Sequence, residues 1–215
     1  MKKKILCCAA LLLATVLLLG FLQLLLMPKY MTDKQEGALI GEYYRETTAH
    51  DVLFVGDCEV YESFIPPTLW EEYGVTSYIR GSAQQLPWQS YHLLEEMLKR
   101  ETPKAVVFNV YALKYGTPQN EAYNRMTLDG MRWSKSKWNA VKASMTDDEK
   151  AWEGQWSYVF PLLRYHDRWS ELTGEDFKYM FHRDPVSDNG YLMQVGIKPM
   201  TAPHAEKPLV DYTLG

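Results

Sequence analysis

Cysteine is scarce in this chain, which carries three in 215 residues. Cys7 and Cys8 lie in a long apolar run at the N-terminus, so Cys58 is left without a partner in the rest of the sequence. This excludes a framework of internal disulfides. It also excludes a zinc site of thiolates, which needs two closely spaced cysteine pairs. The sequence predicts neither a metal site nor a cofactor.

Clusters of positive charge are also lacking. No basic run occurs after Lys2, Lys3 and Lys4, and the formal net charge is −4. A protein that binds a nucleic acid backbone needs a dense cationic face, so nucleic acid is excluded as a partner. The hydrophobic content of 47% is enough for one domain with a sizeable core.

The N-terminus carries the strongest pattern. An uncharged run of 23 residues, Ile5 to Met27, follows the three lysines. As a helix it reaches about 34 Å, enough to cross the hydrocarbon core of a membrane, and the lysines favour an N-terminus held inside. The alternative is a cleaved signal peptide, whose apolar region is shorter and ends at small residues that "LLLMPKYM" lacks. We predict that residues 1–30 form an uncleaved single-pass anchor in the cell membrane, with the following domain extracellular.

Strand and helix patterns alternate after the anchor. Residues 31–50 are predicted to form a connecting helix. Three apolar segments are predicted strands: "VLFVG" (52–56), "VTSYI" (75–79) and "KAVVFNVYAL" (104–113). Two helices separate them: "PPTLWEEYG" (66–74), with prolines in its first turn and a glycine cap, and "PWQSYHLLEEMLKR" (87–100). Strands that alternate with helices form a parallel sheet, and near-continuous apolar strands indicate that both of its faces are covered. The predicted fold class is α/β.

The stretch 113–183 has little strand pattern and is rich in tryptophan and tyrosine. Helix-like pieces lie at 121–128, 134–143 and 173–181. They indicate a helical insertion, in which Thr173 caps the last helix. The tryptophans are expected mostly in the core, and the alternative is that some stack on sugar rings. Residues 184–215 contain four prolines and three glycines and are expected to be mostly loop.

Polar and small residues collect where the three predicted strands end. The first strand is followed by Asp57 and Cys58, the second by Gly81, and the third carries Asn109 in an apolar run. Ligands of open parallel sheets bind beyond the carboxyl ends of the strands. These residues therefore predict a site for acyl transfer. Cys58 would be the nucleophile, and the oxyanion would meet the backbone N–H groups of Cys58 and Gly81 and the amide of Asn109.

Three further residues are candidate substrate contacts. Gln84 and Gln85 follow Gly81 closely, and the alternative is that they are ordinary loop residues. Asp57 either contacts substrate or caps the following turn. For Cys58 itself, the alternative to a nucleophile is a buried small side chain that only packs.

The motif "GDC" at 56–58, with Gly81 and Asn109, resembles the first three sequence blocks of the SGNH (GDSL) hydrolase family. In that family the first block carries a serine nucleophile, and the glycine and asparagine complete the oxyanion hole. The stretches "FVGDCEV" and "YIRGSAQQ" look more like one membrane-anchored branch, which includes the teichoic acid D-alanine transfer protein and the alginate O-acetylation proteins.

The resemblance implies a fold, an activity and partners. The fold is a three-layer α/β/α parallel sheet over residues 51–215, apparently incomplete, with the helical insertion at 113–183. The activity is that of an ester hydrolase or O-acyltransferase of a bacterial cell envelope. The partners are a membrane-bound O-acyltransferase and a cell-surface glycan or polymer.

Two departures from the family pattern bear on catalysis. The family's serine is Cys58 here, which can also form an acyl intermediate; the N-terminus of a following helix would lower its pKa, and Glu59 would oppose this. The family's last block, Asp-x-x-His, is missing, since none of the five histidines has an aspartate three residues before it. We therefore expect the chain to be the N-terminal part of a longer protein. Two functions stay open: an enzyme that handles acyl or ester groups, and a non-catalytic scaffold or glycan-binding partner of an O-acyltransferase.

Overall fold

The computed structural model describes residues 2–28, 36–118, 120–152 and 154–193. Its first element is helix α1, Lys2–Leu26, which contains an 18-residue stretch with a mean hydropathy of 2.8. The helix is long and apolar enough to cross a membrane, and a signal sequence has the same features. The predicted connecting helix is observed as α2, Glu36–Glu42, followed by a 3-10 turn at Tyr43–Arg45. The first residues of that prediction, 31–35, lie outside the described part.

A three-stranded parallel sheet forms the centre of the domain, which confirms the α/β class. The strands are β1, Val52–Gly56; β2, Ser77–Gly81; and β3, Ala105–Phe108. Their order is β2-β1-β3, so β1 lies in the middle. Gly56 pairs with Gly81 across the β1–β2 ladder, and this register brings the ends of those two strands side by side.

Short helices join the strands. They are α3, Cys58–Tyr61; α4, Pro66–Tyr73; and α5, Pro87–Met97. As predicted, α4 starts with two prolines and ends at Gly74, whose φ of 64° lies in the left-handed region that favours glycine. The third strand is shorter than predicted and ends before Asn109. The Asn109 side chain accepts the backbone N–H of Tyr111 at 2.7 Å, a local bond that turns the chain into the 3-10 helix Tyr111–Lys114.

The two faces of the sheet carry different core clusters. Side chains alternate between faces along a strand. Leu53, Val55 and Tyr78 pack with Tyr43 and Met97 in one cluster. A second cluster, with Phe54 and Ile79 at its centre, contains Leu39, Val60, Tyr61 and Leu192. Both β1 and β2 are therefore buried, as their apolar sequences predict.

Strand β3 departs from that expectation. Val106 and Val107 are 38% and 36% exposed, and the first three residues of the strand are exposed as a whole. Among the described residues no further strand pairs with β3 on its outer side. The expectation of a sheet covered on both faces is thus wrong for this strand, because an apolar sequence predicts a preference for burial but supplies no covering element.

The rest of the described chain is largely helical. The helices are α6, Glu121–Leu128; α7, Lys135–Ser144; α8, Asp147–Trp152; α9, Trp156–Val159; α10, Leu162–Tyr165; and α11, Gly174–Phe181. A 3-10 helix, His166–Glu171, precedes α11. The helices predicted at 121–128, 134–143 and 173–181 match α6, α7 and α11 within one residue. Their starts are readable from sequence because Asn120 and Ser134 cap them, accepting the N–H groups of Ala122 and Lys137.

The helical region packs against α5 and not only against itself. Leu93 of α5 belongs to a buried cluster with Leu128 of α6, Val141 of α7 and Tyr158 of α9. The exposure of its tryptophans differs from expectation, since Trp133, Trp156 and Trp169 are 50%, 57% and 72% exposed. The expectation that tryptophans lie mostly in the core is therefore wrong for these three. Clustering of aromatic residues in the sequence does not tell which of them the fold covers.

The described end of the chain lies along the outer edge of β2. The backbone N–H of Ile79 donates to the carbonyl of Asn189 at 2.9 Å, and Leu192 donates to the carbonyl of Tyr61 at 3.2 Å. Gly190, with a φ of 84°, passes so close to Ile79 that a β-carbon would overlap its carbonyl. Residues 184–193 contain only an isolated bridge, in line with the predicted loop, and the rest of that prediction lies outside the described part.

Candidate active site at the carboxyl ends of the strands

Asp57 organises the turn that follows β1. Its side chain caps α3 by accepting the backbone N–H of Glu59 at 3.2 Å. The same oxygen, Oδ1, accepts the amide N–H of Asn109 at 2.8 Å. Asp57 is 7% exposed, so the carboxylate lies inside this turn. Of the two roles predicted for Asp57, the structure shows the capping role.

Cys58 is the first residue of α3 and is partly buried. Burial raises the pKa of the Cys58 thiol above its ordinary value, and the negative charges of Asp57 and Glu62 raise it further. The backbone N–H groups of Cys58 and Glu59 offset only part of this. The sequence predicted a lowered pKa from the helix N-terminus. That effect is small because α3 has four residues, and few peptide dipoles are aligned. The carboxylates with the largest opposing effect are Asp57 and Glu62.

Gly81 lies against the same turn. A β-carbon at Gly81 would be 2.7 Å from the carbonyl oxygen of Gly56 and 3.0 Å from the ring of Tyr61. Gly56 is equally confined, because its β-carbon would lie 2.5 Å from the β-carbon of Asn109. Glycine at both positions therefore allows the ends of β1 and β2 and the residue after β3 to approach one another.

Asn109 lies one residue beyond β3, where its backbone N–H donates to the carbonyl of Val55 at 3.0 Å. Its side chain amide carries two N–H groups, and one of them is committed to the carboxylate of Asp57. The structure thus brings Asp57, Cys58, Gly81 and Asn109 together at one edge of the sheet. It also places Asn109 in contact with the cap of the turn, and no acceptor within the described residues is hydrogen-bonded to its second amide N–H.

The two glutamines lie in different surroundings. Gln84 is exposed, has a φ of 51°, and borders a small cavity beside Tyr115 and Tyr123. Gln85 is 1% exposed. Its amide donates to Ser90 at 2.8 Å and to the carbonyl of Arg80 at 3.4 Å, and it accepts from the hydroxyl of Ser82 at 3.2 Å. The side chain of Gln85 is therefore used within the protein.

One buried charged residue, Arg80 in β2, was not predicted from the sequence. Arg80, the residue before Gly81, is fully buried and forms an ion pair with Glu96 at 3.1 Å. Its guanidinium lies over the rings of Tyr43 and Tyr44, at 4.9 and 4.7 Å from their centres. The signal that could have found it is the arginine in the apolar stretch "SYIRG", since a buried arginine requires a partner.

A second buried network continues from Ser82. Its hydroxyl is hydrogen-bonded to that of Thr127 in α6, which donates to the side chain of Gln89 at 3.4 Å. The amide of Gln89 in turn donates to Asn124 at 3.0 Å and to Ser144 at 3.1 Å. These bonds connect the loop after β2 to α5, α6 and α7. They fix Ser82, the residue that follows Gly81, against the helical region.

No histidine of the described part is hydrogen-bonded to Cys58. The four described histidines are each engaged elsewhere, as His50 with Glu101, His92 with Glu95, His166 with the carbonyl of Leu163, and His182 with Asp184. Within the same residues no group of three metal-ligating side chains occurs. A histidine general base is therefore not hydrogen-bonded to the thiol in this part of the chain.

Compared with known proteins, the chain matches no family model, no curated protein and no solved structure. The resemblance to the SGNH family therefore rests on the short motifs around Cys58, Gly81 and Asn109.

Proposed function

We propose that this chain is a membrane-anchored extracytoplasmic protein with an SGNH-like three-layer domain, which handles acyl or ester groups on a cell-surface polymer. The observation that carries the proposal is the meeting of Cys58, Gly81 and Asn109 at one edge of the sheet, around the cap formed by Asp57. The helix α1 supports the anchor, because its length and composition suit a membrane span. By resemblance, the partner is a membrane-bound O-acyltransferase of the bacterial cell envelope.

The proposed chemistry is acyl transfer through a thioester. The Cys58 thiol gives its proton to a base from solvent or from a partner protein, and the sulfur attacks the acyl carbonyl carbon. The new C–S bond forms, the ester C–O bond breaks, and the leaving alcohol takes up a proton. A hydroxyl of the acceptor polymer then attacks the thioester and regenerates the thiol. In each step the oxyanion would meet the backbone N–H groups of Cys58 and Gly81 and the remaining amide N–H of Asn109.

The second candidate function is a non-catalytic scaffold that binds a glycan or an O-acyltransferase. Two observations favour it. The raised pKa of Cys58 keeps most of the thiol protonated at neutral pH. In the described part of the chain, no histidine side chain is hydrogen-bonded to Cys58 to take the proton. In this case Asp57, Gly81 and Asn109 serve only to shape the surface at the strand ends.

Acylation of Cys58 separates the two functions. The full chain, with Cys7→Ala and Cys8→Ala, is purified in detergent micelles and treated with p-nitrophenyl acetate. Iodoacetamide alkylation is measured in parallel across pH, because it reports the thiolate without an oxyanion. This protein and its Asn109→Ala variant are compared at pH values that give the same fraction of thiolate. If Cys58 is a nucleophile, Asn109→Ala then slows acetylation by about 100-fold, the usual loss for one oxyanion donor. The rate of alkylation stays unchanged. Equal effects on both reactions would support the scaffold.

Two control variants check the cause of the raised pKa. Glu62→Gln removes a carboxylate that raises the pKa of Cys58, so the thiolate fraction at neutral pH increases and alkylation becomes faster. Glu72→Gln in α4 removes an exposed carboxylate that is not among the causes of this shift and leaves the alkylation rate unchanged. Cys58→Ala should not be acetylated, which would show that the acetyl group is bound to this thiol.

A further inference from the structure

The end of α1 is built into the helical region. Leu25 and Leu26 in its last turn are both 6% exposed. In contrast, no residue is buried in the 18-residue apolar stretch that would cross the membrane. The guanidinium of Arg168 donates to the carbonyl of Leu26 at 2.7 Å and lies 3.3 Å from the carboxylate of Asp176. Because the last carbonyls of a helix lack partners within it, this bond joins α1 directly to the 3-10 helix and α11.

The elements around this joint expose large apolar side chains. Helix α1 packs against α10, against the 3-10 helix 166–171 and against α11, and α9 packs against α10. The segment 156–181, which contains α9, α10, the 3-10 helix and α11, carries six exposed large apolar side chains, which we call the aromatic platform: Trp156, Phe160, Leu163, Trp169, Phe177 and Phe181. The two most exposed of them are Trp169, at 72%, and Phe181, at 86%. Exposed apolar patches of this kind mark a surface that meets another apolar phase.

The platform also has internal order. In α11, Asp176 is 2% exposed and faces inward, where it binds Arg168. Phe177 and Phe181 are one helical turn apart and therefore share an outward face of α11. Trp156 and Phe160 stack with ring centres 6.4 Å apart. Phe177 and Phe181 thus lie on a helix that packs against α1, and Trp156 and Phe160 lie beside α10, which also packs against α1.

We propose that the aromatic platform lies on the surface of the phospholipid bilayer that α1 crosses. The proposal rests on the anchor in the proposed function and is independent of the chemistry of Cys58. Its argument is continuity, since α10, the 3-10 helix and α11 pack against α1, and Arg168 of the 3-10 helix binds its last turn, where α1 leaves the membrane. Tryptophan and other amphipathic aromatic side chains favour the membrane–water interface.

The consequence is a fixed position of the domain relative to the membrane. With α1 embedded and the platform in contact with the headgroups, the domain does not swing on a flexible tether. The strand ends with Cys58 are then held at a constant height above the bilayer. This arrangement suits a substrate or partner that is itself held in or at the membrane.

Quenching of tryptophan fluorescence by brominated lipid tests the platform. The full chain is placed in nanodiscs of phosphatidylcholine, with or without bromine on the acyl chains. Helix α1 contains no tryptophan, so any quenching reports the domain. The quenched share is the fraction of tryptophan fluorescence that the brominated lipid removes. If these rings lie at the interface, the double variant Trp156→Phe, Trp169→Phe lowers this share by about twofold or more. Trp70→Phe is the matched control, since Trp70 is 59% exposed on α4 and outside the platform. It leaves the quenched share unchanged or raises it.

The outcomes distinguish this inference from the proposed function. If the double variant is quenched as strongly as the wild-type chain, the platform does not contact lipid, and a protein partner is the remaining occupant. Insertion of α1 is measured separately by resistance to alkaline extraction from membranes. An α1 that is extracted overturns the anchor and the platform together. An inserted α1 without quenching of Trp156 and Trp169 overturns the platform alone.

Discussion

At the residue scale, one carboxylate has two opposing effects on the site. Asp57 caps α3 and accepts the amide of Asn109, and so it holds the strand ends together. The same charge raises the pKa of the neighbouring thiol of Cys58. The Asp57 carboxylate therefore stabilises the turn but lowers the reactivity of the cysteine. Removal of this side chain would favour the thiolate but would leave the N–H groups of Glu59 and Asn109 without their acceptor.

The contact between Asn109 and Asp57 gives a test at this scale. Asn109→Asp replaces a donor by a second carboxylate at about the same position. We expect the free energy of unfolding of the full chain in detergent micelles to fall by about 1–3 kcal/mol at neutral pH. Two adjacent carboxylates share a proton more readily as the pH falls, so the loss shrinks toward about pH 5.

Asn120→Asp is the matched control for that variant. Asn120 caps α6 by accepting the N–H of Ala122 at 2.8 Å, and aspartate caps a helix equally well. The control should leave the unfolding curve, followed by tryptophan fluorescence, close to that of the unchanged chain. A stable Asn109→Asp protein with no pH dependence would show that the contact with Asp57 has no energetic role.

At the element scale, the parallel strands determine which residues meet. Strand β1 lies between β2 and β3, so among the three described strands its end alone has a neighbouring strand on both sides. Gly56 and Gly81 are opposite each other in the register, and Asn109 follows the last paired residue of β3. The close approach of the three ends needs glycine at two of them.

Gly81→Ala tests this close approach. The new β-carbon would lie 2.7 Å from the backbone oxygen of Gly56, which cannot move without shifting β1. We expect a loss of about 1–3 kcal/mol in the free energy of unfolding, as for other overpacked sites. Gly116→Ala is the control, because nothing lies within 4 Å of its β-carbon. A similar stability of both variants, measured by urea unfolding, would mean that β1 and β2 can separate at their ends without loss.

At the scale of the whole molecule, buried polar bonds join the sheet to the helical region. Glu96 of α5 pairs with Arg80 of β2 and accepts the hydroxyls of Tyr44, near α2, and Ser134, at the start of α7. One carboxylate thus connects four separate parts of the chain. Together with the cluster around Leu93, it makes the helical region part of the same folding unit as the sheet.

Glu96→Gln should therefore destabilise the whole domain. The variant leaves the guanidinium of Arg80 fully buried without a counter-charge, and the usual loss from breaking a buried pair is about 3 kcal/mol or more. Glu72→Gln, at an exposed position in α4, should leave the stability unchanged. A single unfolding transition at lower denaturant is expected for Glu96→Gln. Separate transitions of the sheet and the helical region would contradict the view that they fold as one unit.

The sequence by itself determined the features that depend on neighbours along the chain. The apolar run of α1, the bounds of β1, the cap at Gly74 and the helices α6 and α7 all follow from local hydrophobicity and capping. The meeting of the strand ends followed as well, because parallel strands place their carboxyl ends at one edge.

Only the tertiary structure decided which side chains water reaches and which charges lie close together. It left Val106 and Trp169 exposed, buried Gln85, and paired Arg80 with Glu96. It also reversed the expected direction of the pKa shift of Cys58. The physical reason is that solvation and charge–charge interactions depend on the positions of groups in three dimensions, which a residue pattern does not specify.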